Sequence, residues 1–176
     1  MLSDNKEGLE WVRANCPALH MLAFRLGDET VAMDILCVRE VLDPGDITRI
    51  PQMPDYFLGV INLRGYAVPV IDLRHKLGMG RVAHTPATRI VILDLPGAGE
   101  LQLMGVFADS VRGVVEVATD QLLPPPSMGA AVPQPYLRGI VRIDNRFVLV
   151  LDHERLLTMD EITGMALSTP SLLDRR

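Results

Sequence analysis

The stretch YFLGVINLRGYAVPVID, residues Tyr56–Asp72, contains two short apolar runs, Val60–Leu63 and Tyr66–Ile71, on either side of Arg64-Gly65. Both runs include β-branched residues, which are enriched in strands. Glycine adopts at little cost the positive φ that a two-residue hairpin turn demands. The stretch therefore predicts a β-hairpin.

A second copy of this hairpin lies 80 residues further along the chain, where residues Tyr136–Asp152 read YLRGIVRIDNRFVLVLD. The two stretches align without a gap. A weaker similarity extends upstream, with VRE at 38–40 against VRG at 111–113 and RIP at 49–51 against LLP at 122–124, both at an offset of 73. Two copies of one unit indicate two similar lobes, because solenoids and propellers need three or more repeats.

Short apolar runs alternate with turn residues through both copies, as is typical of small antiparallel barrels. The fold class is predicted to be mainly β, with two five-stranded antiparallel β-barrel lobes and short helices. Single helical turns are expected after each hairpin, in LRHKLG and HERLLT, capped by Asp72 and Asp152. Ten strands are predicted from eleven apolar runs. These runs cover residues 19–26, 29–33, 38–42, 47–50, 60–63, 66–71, 89–95, 101–108, 114–117, 140–143 and 146–151.

The domain is expected to span residues 19–157, as two similar or intertwined lobes of approximately 19–80 and 86–157. Residues 1–18 are predicted to form an N-terminal segment with a short helix over 7–15, and residues 158–176 a C-terminal tail. Residues 124–135 are rich in proline, which cannot donate ladder hydrogen bonds, so a surface loop is expected there.

Composition excludes several classes of protein. Of the 176 residues, 48% are hydrophobic, and the formal net charge is -5. Lysine and arginine are scattered, whereas nucleic-acid binding needs clustered positive charge. No apolar stretch approaches the roughly 20 residues of a membrane-spanning helix, and the start of the chain is acidic and polar, unlike a signal peptide. A cytoplasmic protein is expected.

No catalytic or metal-binding pattern is present in the sequence. The four histidines, His20, His75, His84 and His153, have no ligand or triad spacing. There is no G-x-S-x-G elbow and no phosphate-binding loop followed by a helix. The two cysteines fit neither a zinc site nor a disulfide framework. No cofactor, metal or enzymatic activity is therefore predicted.

The string GVINLRGYAVPVIDLRHKLG, residues 59–78, resembles the CheW family, whose members carry a G-V-x-N-L-R-G hairpin followed by a V-P-V-I-D-L strand. Residues 24–42, 48–59 and 105–117 support the similarity, which covers roughly 19–157. The resemblance implies SH3-like barrels and a non-catalytic chemotaxis adaptor. Its implied partners are the regulatory domain of a CheA-type histidine kinase and the cytoplasmic tip of chemoreceptors, so that it would associate with membrane receptor arrays.

The resemblance also implies partner-binding residues within the hairpin and the strand before it. Glu40 and Arg64 fall where family members carry Glu and Arg, and a pair across neighbouring strands would brace the receptor-facing surface. Asn62 and Gly65 belong to the same hairpin string. The alternative is a solvated pair worth roughly 0–1 kcal/mol. The second copy has Asp144 and Asn145 at the turn, so only the first lobe offers the arginine.

Four valines are candidates for an apolar groove between the lobes. The repeat relates Val38 to Val111 and Val41 to Val114. Barrel core is the competing interpretation for each of them. Our hypothesis is that at least one of the two pairs is solvent-accessible.

Two other functions are compatible with parts of this pattern. An adaptor of another chemosensory pathway, controlling twitching motility or gene expression, would have the same fold and hairpin. A small nucleic-acid-binding barrel is a different class, and the acidic net charge disfavours it.

Overall fold

The structure, a computed structural model, describes residues 18–96, 101–126, 132–157 and Glu161. The predicted helix at 7–15 and the C-terminal tail other than Glu161 lie outside the described residues. Ten strands form two five-stranded sheets, which confirms a mainly β fold. The strands are β1 Ala18–Leu26, β2 Glu29–Asp34, β3 Val38–Leu42, β4 Phe57–Leu63, β5 Tyr66–Asp72, β6 Arg89–Pro96, β7 Leu101–Ala108, β8 Ser110–Ala118, β9 Leu137–Ile143 and β10 Arg146–Leu151.

The two copies exchange their first hairpins. One sheet has the order β3-β6-β7-β5-β4 and the other the order β8-β1-β2-β10-β9. Each sheet thus combines the first two strands of one copy with the last three of the other. We call them the Arg64 lobe and the Asp144 lobe, after the residue at the hairpin turn. The predicted division into 19–80 and 86–157 does not separate these lobes, because β1 pairs with β8 and β3 pairs with β6.

The exchange also places one parallel pair in each sheet. Strand β5 runs parallel to β7, and β10 runs parallel to β2. The expectation of purely antiparallel sheets is therefore wrong at these two pairs. Strands joined by a long connection are free to pair in parallel, whereas a tight hairpin enforces antiparallel pairing.

Two glycines allow the chain to cross closely over each repeated hairpin. The predicted strand at 47–50 is reduced to a single bridge between Thr48 and Val60, and Leu123 bridges Ile140 in the same way. A Cβ at Gly59 would lie 2.2 Å from the Thr48 oxygen, and one at Gly139 would lie 2.4 Å from the Leu123 oxygen. The bridges relate residue 48 to residue 123, an offset of 75 that replaces the 73 expected for RIP against LLP.

Among the described residues, buried apolar side chains form three clusters. One lies within the Arg64 lobe, around Val68, Ile90 and Ile92, and one within the Asp144 lobe, around Met21, Val141 and Val148. The third and largest draws residues from both sheets, and we call it the central core. It includes Phe24, Leu26 and Met33 from one sheet and Val91, Leu93 and Met104 from the other.

The turn after each repeated hairpin differs between the copies. After β5, Asp72 accepts a hydrogen bond from His75 N at 3.0 Å and caps the short helix α1, Leu73–Lys76. The helix predicted in HERLLT is absent, and residues 153–157 form turns. There Asp152 accepts from Glu154 N, only two residues on, at 3.1 Å, and this closes a turn instead of capping a helix. No helix in the described ranges is long and apolar enough to span a membrane.

Substituting Gly59 or Gly139 with alanine should lower the free energy of unfolding by about 2 kcal/mol, since overpacking costs typically 1–3 kcal/mol. The added Cβ would meet a backbone oxygen, which cannot move without breaking the bridge. Gly45→Ala is the control, because a Cβ there meets nothing within 4 Å. Chemical denaturation measures all three. A Gly139→Ala protein as stable as Gly45→Ala would contradict this account of the crossing.

Candidate functional site

Arg64 and Glu40 form a bidentate ion pair on the surface of the Arg64 lobe. Arg64 Nη1 donates to Glu40 Oε1 at 3.0 Å, and Nη2 donates to Oε2 at 2.9 Å. The arginine side chain is 72% exposed and that of the glutamate 21% exposed. Two parallel hydrogen bonds fix the plane of a guanidinium as well as its position. The predicted pairing of these two residues is therefore present.

The ion pair connects two parts of the lobe that are not joined by backbone hydrogen bonds between strands. Glu40 lies in β3 and Arg64 in the turn that follows β4, and these strands are the opposite edges of the sheet. The expectation that the pair crosses neighbouring strands is wrong, because within the described ranges β3 pairs with β6 and β4 with β5. The side chains thus join the open edges of the barrel, where no backbone hydrogen bonds do so.

The hairpin turn holds Arg64 in an unusual backbone conformation. Its φ is 51° and that of Gly65 is 88°, which is the pattern of a type I′ turn. Asn62 Oδ1 accepts a hydrogen bond from Gly65 N at 2.8 Å, so Asn62 stabilises the turn from its side chain. Left-handed backbone costs a residue other than glycine roughly 1–2 kcal/mol. Asparagine or glycine would suit position 64 better, so turn geometry does not explain the arginine.

A β-bulge sets the position of Glu40. The register shifts between Val38, opposite Leu93, and Glu40, opposite Ile92, and it leaves Arg39 unpaired in the ladder. Strand β8 shifts in the same way around Arg112. The shared bulge supports the alignment of VRE with VRG.

The Asp144 lobe lacks both members of the ion pair. Gly113 stands at the position of Glu40, and Asp144 at that of Arg64. At this second turn Arg142 Nη2 donates to Asn145 Oδ1 at 3.3 Å. The loss of the arginine was predicted from the sequence. The loss of the glutamate was missed, although the final letters of VRE and VRG carried the signal.

The four candidate valines separate into a partly buried pair and an exposed pair. Val38 and Val111 are partly buried and pack against the central core. Val41 is 37% exposed and Val114 is 56% exposed. The hypothesis that one pair is solvent-accessible is therefore confirmed for Val41 and Val114. They lie on edge strands of different sheets, β3 and β8.

Sequence reasoning missed several exposed apolar side chains. Tyr66 follows the Arg64-Gly65 turn and is 66% exposed, and Leu36, just before β3, is 87% exposed. Phe147 near the equivalent turn is 63% exposed. Tyr66 and Phe147 stand at the start of apolar runs that predict strands, so the pattern gave no signal that these two side chains face solvent.

The described residues offer little for catalysis or metal binding. No group of three or more His, Cys, Asp and Glu side chains comes together among them as a metal site. Burial, together with the charge of Asp34, raises the pKa of the Cys37 thiol to about 12. This thiol stays protonated at neutral pH and is a poor nucleophile.

Comparison with known proteins places this geometry in a family. Residues 20–161 match the model of the CheW-like domain. The chemotaxis protein CheW of Klebsiella aerogenes is 34% identical over 141 residues, which are 80% of this chain and 82% of that protein. A probable chemotaxis protein CheW of Rhizobium etli is 32% identical, with 80% and 88% covered.

A solved structure shares the architecture. The crystal structure of the scaffolding protein TtCheW from Thermoanaerobacter tengcongensis superposes with a TM-score of 0.74 at 29% sequence identity, covering 82% of this chain and 90% of that one. The likeness supports two SH3-like lobes. The chain belongs to the CheW-like family.

Proposed function

We propose that this protein is a non-catalytic adaptor that couples chemoreceptors to a CheA-type histidine kinase in bacterial chemotaxis. The observation that carries the proposal is the CheW-like match over residues 20–161, shared with named chemotaxis proteins and a scaffolding protein. The ion pair is exposed and occurs in the Arg64 lobe but not in the Asp144 lobe, which is consistent with recognition of a partner. Its partners are the regulatory domain of the kinase and the cytoplasmic tip of the receptor.

Arg64 is our candidate for the principal polar contact with the receptor. A guanidinium has five N–H donors, and Glu40 accepts from two of its nitrogens. The remaining donors point away from Glu40 on a side chain that is 72% exposed. Because Glu40 already fixes this side chain, binding costs less rotamer entropy. The partner group would be a carboxylate or carbonyl oxygen on a receptor helix.

Exposed apolar residues are proposed to complete the partner surface. Val41 is next to Glu40 in β3, and Val114 occupies the equivalent place in β8. Edge strands with exposed apolar side chains are surfaces on which another chain can dock. Asn62 and Gly65 contribute by stabilising the turn that carries Arg64. Val38 and Val111 contribute by packing β3 and β8 against the central core.

The relatives favour chemotaxis over the other functions considered. Those compared above carry chemotaxis names. An adaptor for twitching motility or gene expression would use the same surface, but no residue here favours it. We place the protein in the cytoplasm, held at receptor arrays by its partners.

Co-sedimentation tests the proposed function. The protein is mixed with receptor-containing membranes and the cognate kinase, and kinase autophosphorylation is measured in the pellet. The adaptor should sediment with the membranes, recruit the kinase and raise its activity. Absence of all three effects would rule the proposal out.

Arg64→Ala and Glu40→Ala should each lower receptor-dependent kinase activation at least several-fold. The free energy of unfolding should change by only about 0–1 kcal/mol, as for other exposed ion pairs. Arg155→Ala is a matched control, because its side chain is 66% exposed and pairs with an aspartate that is 23% exposed. Full activation in both variants would contradict the site assignment. If both variants failed to fold, the ion pair would be needed for the fold and not specifically for binding.

Arg64→Asn should separate stability from binding. Asparagine tolerates left-handed backbone and forms the favoured Asn-Gly turn, so the free energy of unfolding should stay level or rise by about 1 kcal/mol or less. Kinase activation should nevertheless fall as in Arg64→Ala.

The matching control is Asn145→Gly, which gives the equivalent turn, where residue 145 has a φ of 63°, the favoured Asp-Gly pair. That variant should gain stability and keep full activation. Normal activation by Arg64→Asn would show that the guanidinium is dispensable.

A further inference from the structure

The ammonium group of a largely buried lysine lies near two tyrosine rings, one from each lobe. Lys76 Nζ is 4.5 Å from the centroid of the Tyr56 ring and 6.0 Å from that of the Tyr136 ring. Its side chain is only 9% exposed. Lys76 is the last residue of α1, so the helix that follows β5 carries the charge into this position.

The two tyrosines are equivalent residues of the repeat. The backbone oxygen of Tyr56 accepts a hydrogen bond from Asp72 N at 2.7 Å, and that of Tyr136 accepts from Asp152 N at 2.9 Å. Tyr56 immediately precedes β4 in the Arg64 lobe, and Tyr136 immediately precedes β9 in the Asp144 lobe. Lys76 therefore meets one ring from each lobe.

Glu161 supplies the negative charge that the buried ammonium needs. Its Oε2 lies 2.7 Å from Lys76 Nζ. The Tyr56 hydroxyl donates to the same oxygen. An aromatic ring attracts a cation but carries no net charge, and a buried ammonium without a counter-ion is strongly unfavourable. The carboxylate thus fills a site that the other three residues already define.

The tyrosine remains a hydrogen-bond donor in this arrangement. Burial raises the pKa of the Tyr56 hydroxyl, and its hydrogen bond to the Glu161 carboxylate raises it further. The hydroxyl therefore stays protonated throughout the physiological pH range. One ammonium and one hydroxyl converge on a single carboxylate oxygen.

The contact joins parts of the chain that belong to different lobes. Glu161 follows β10, a strand of the Asp144 lobe, whereas Lys76 follows β5 of the Arg64 lobe. We propose that Lys76, Tyr56 and Tyr136 form a carboxylate-binding site whose ligand is Glu161, so that the chain after β10 is fastened across the junction of the lobes. This site is separate from the Arg64 surface and does not depend on the proposed adaptor function.

Chemical rescue tests the site with acetate as the probe. In the full chain, Glu161→Ala removes the ligand and leaves the ammonium and hydroxyl in place. The melting temperature of Glu161→Ala should be lower than that of the unsubstituted protein. It should rise saturably with sodium acetate when compared with sodium chloride at equal ionic strength, because a ligand that binds only the folded state stabilises it. Glu154→Ala, which removes an exposed carboxylate nearby, should show no acetate-specific rise.

The Lys76→Met/Glu161→Ala double variant should lose the response to acetate. If it does not fold, Tyr56→Phe/Glu161→Ala replaces it and should weaken the response several-fold by removing the hydroxyl donor. Equal effects of acetate and chloride on Glu161→Ala would overturn the proposal. A response that persists unchanged in the tested double variant would also overturn it.

Discussion

The fold depends on the burial of one apolar core between two sheets that neither copy of the repeat can build alone. Phe24 and Met33 enter this core from β1 and β2, and Leu93 and Met104 enter it from β6 and β7. These are the two exchanged hairpins, and each completes the sheet of the other copy. Separating the lobes would therefore expose the central core and also leave each sheet short of strands. The protein should fold as a single cooperative unit, because the hydrophobic effect scales with the apolar area buried.

The exchange also determines where the proposed partner surface lies. Glu40 belongs to the first copy, yet its strand is held by β6 of the second copy. The bulge at Arg39 then sets the residue that can reach the turn after β4. Arg64 approaches from the other edge of the same sheet. The ion pair therefore forms only when both edges are in the positions seen here. The Asp144 lobe has the same bulge and the same turn without these charges. The fold therefore does not require the pair, and a recognition role for it is the stronger interpretation.

Sequence patterns predicted most of the strands and the repeat, and the family resemblance implied the pairing of Glu40 with Arg64. The exchange of hairpins escaped them, because both copies carry the same alternation of apolar residues. Such a pattern specifies which face of a strand is buried, and it leaves the partner strand open. Local reasoning also failed at HERLLT, where Asp152 binds an N–H two residues away instead of three. The contact between Lys76 and Glu161 joins residues 85 positions apart, and no periodicity of either segment indicates it.

We propose that a partner binds the positive charge of Arg64 and that Glu40 holds this charge in position. Exchanging the charges, as Glu40→Arg/Arg64→Glu, tests this most directly. The reversed pair can still form across the open edge of the barrel, so the free energy of unfolding should remain near that of the unsubstituted protein. Receptor-dependent kinase activation, measured in reconstituted membranes, should stay as low as without the arginine. Restoration of full activation by the reversed pair would contradict the claim, because it would mean that bracing the two edges is the whole role of these residues.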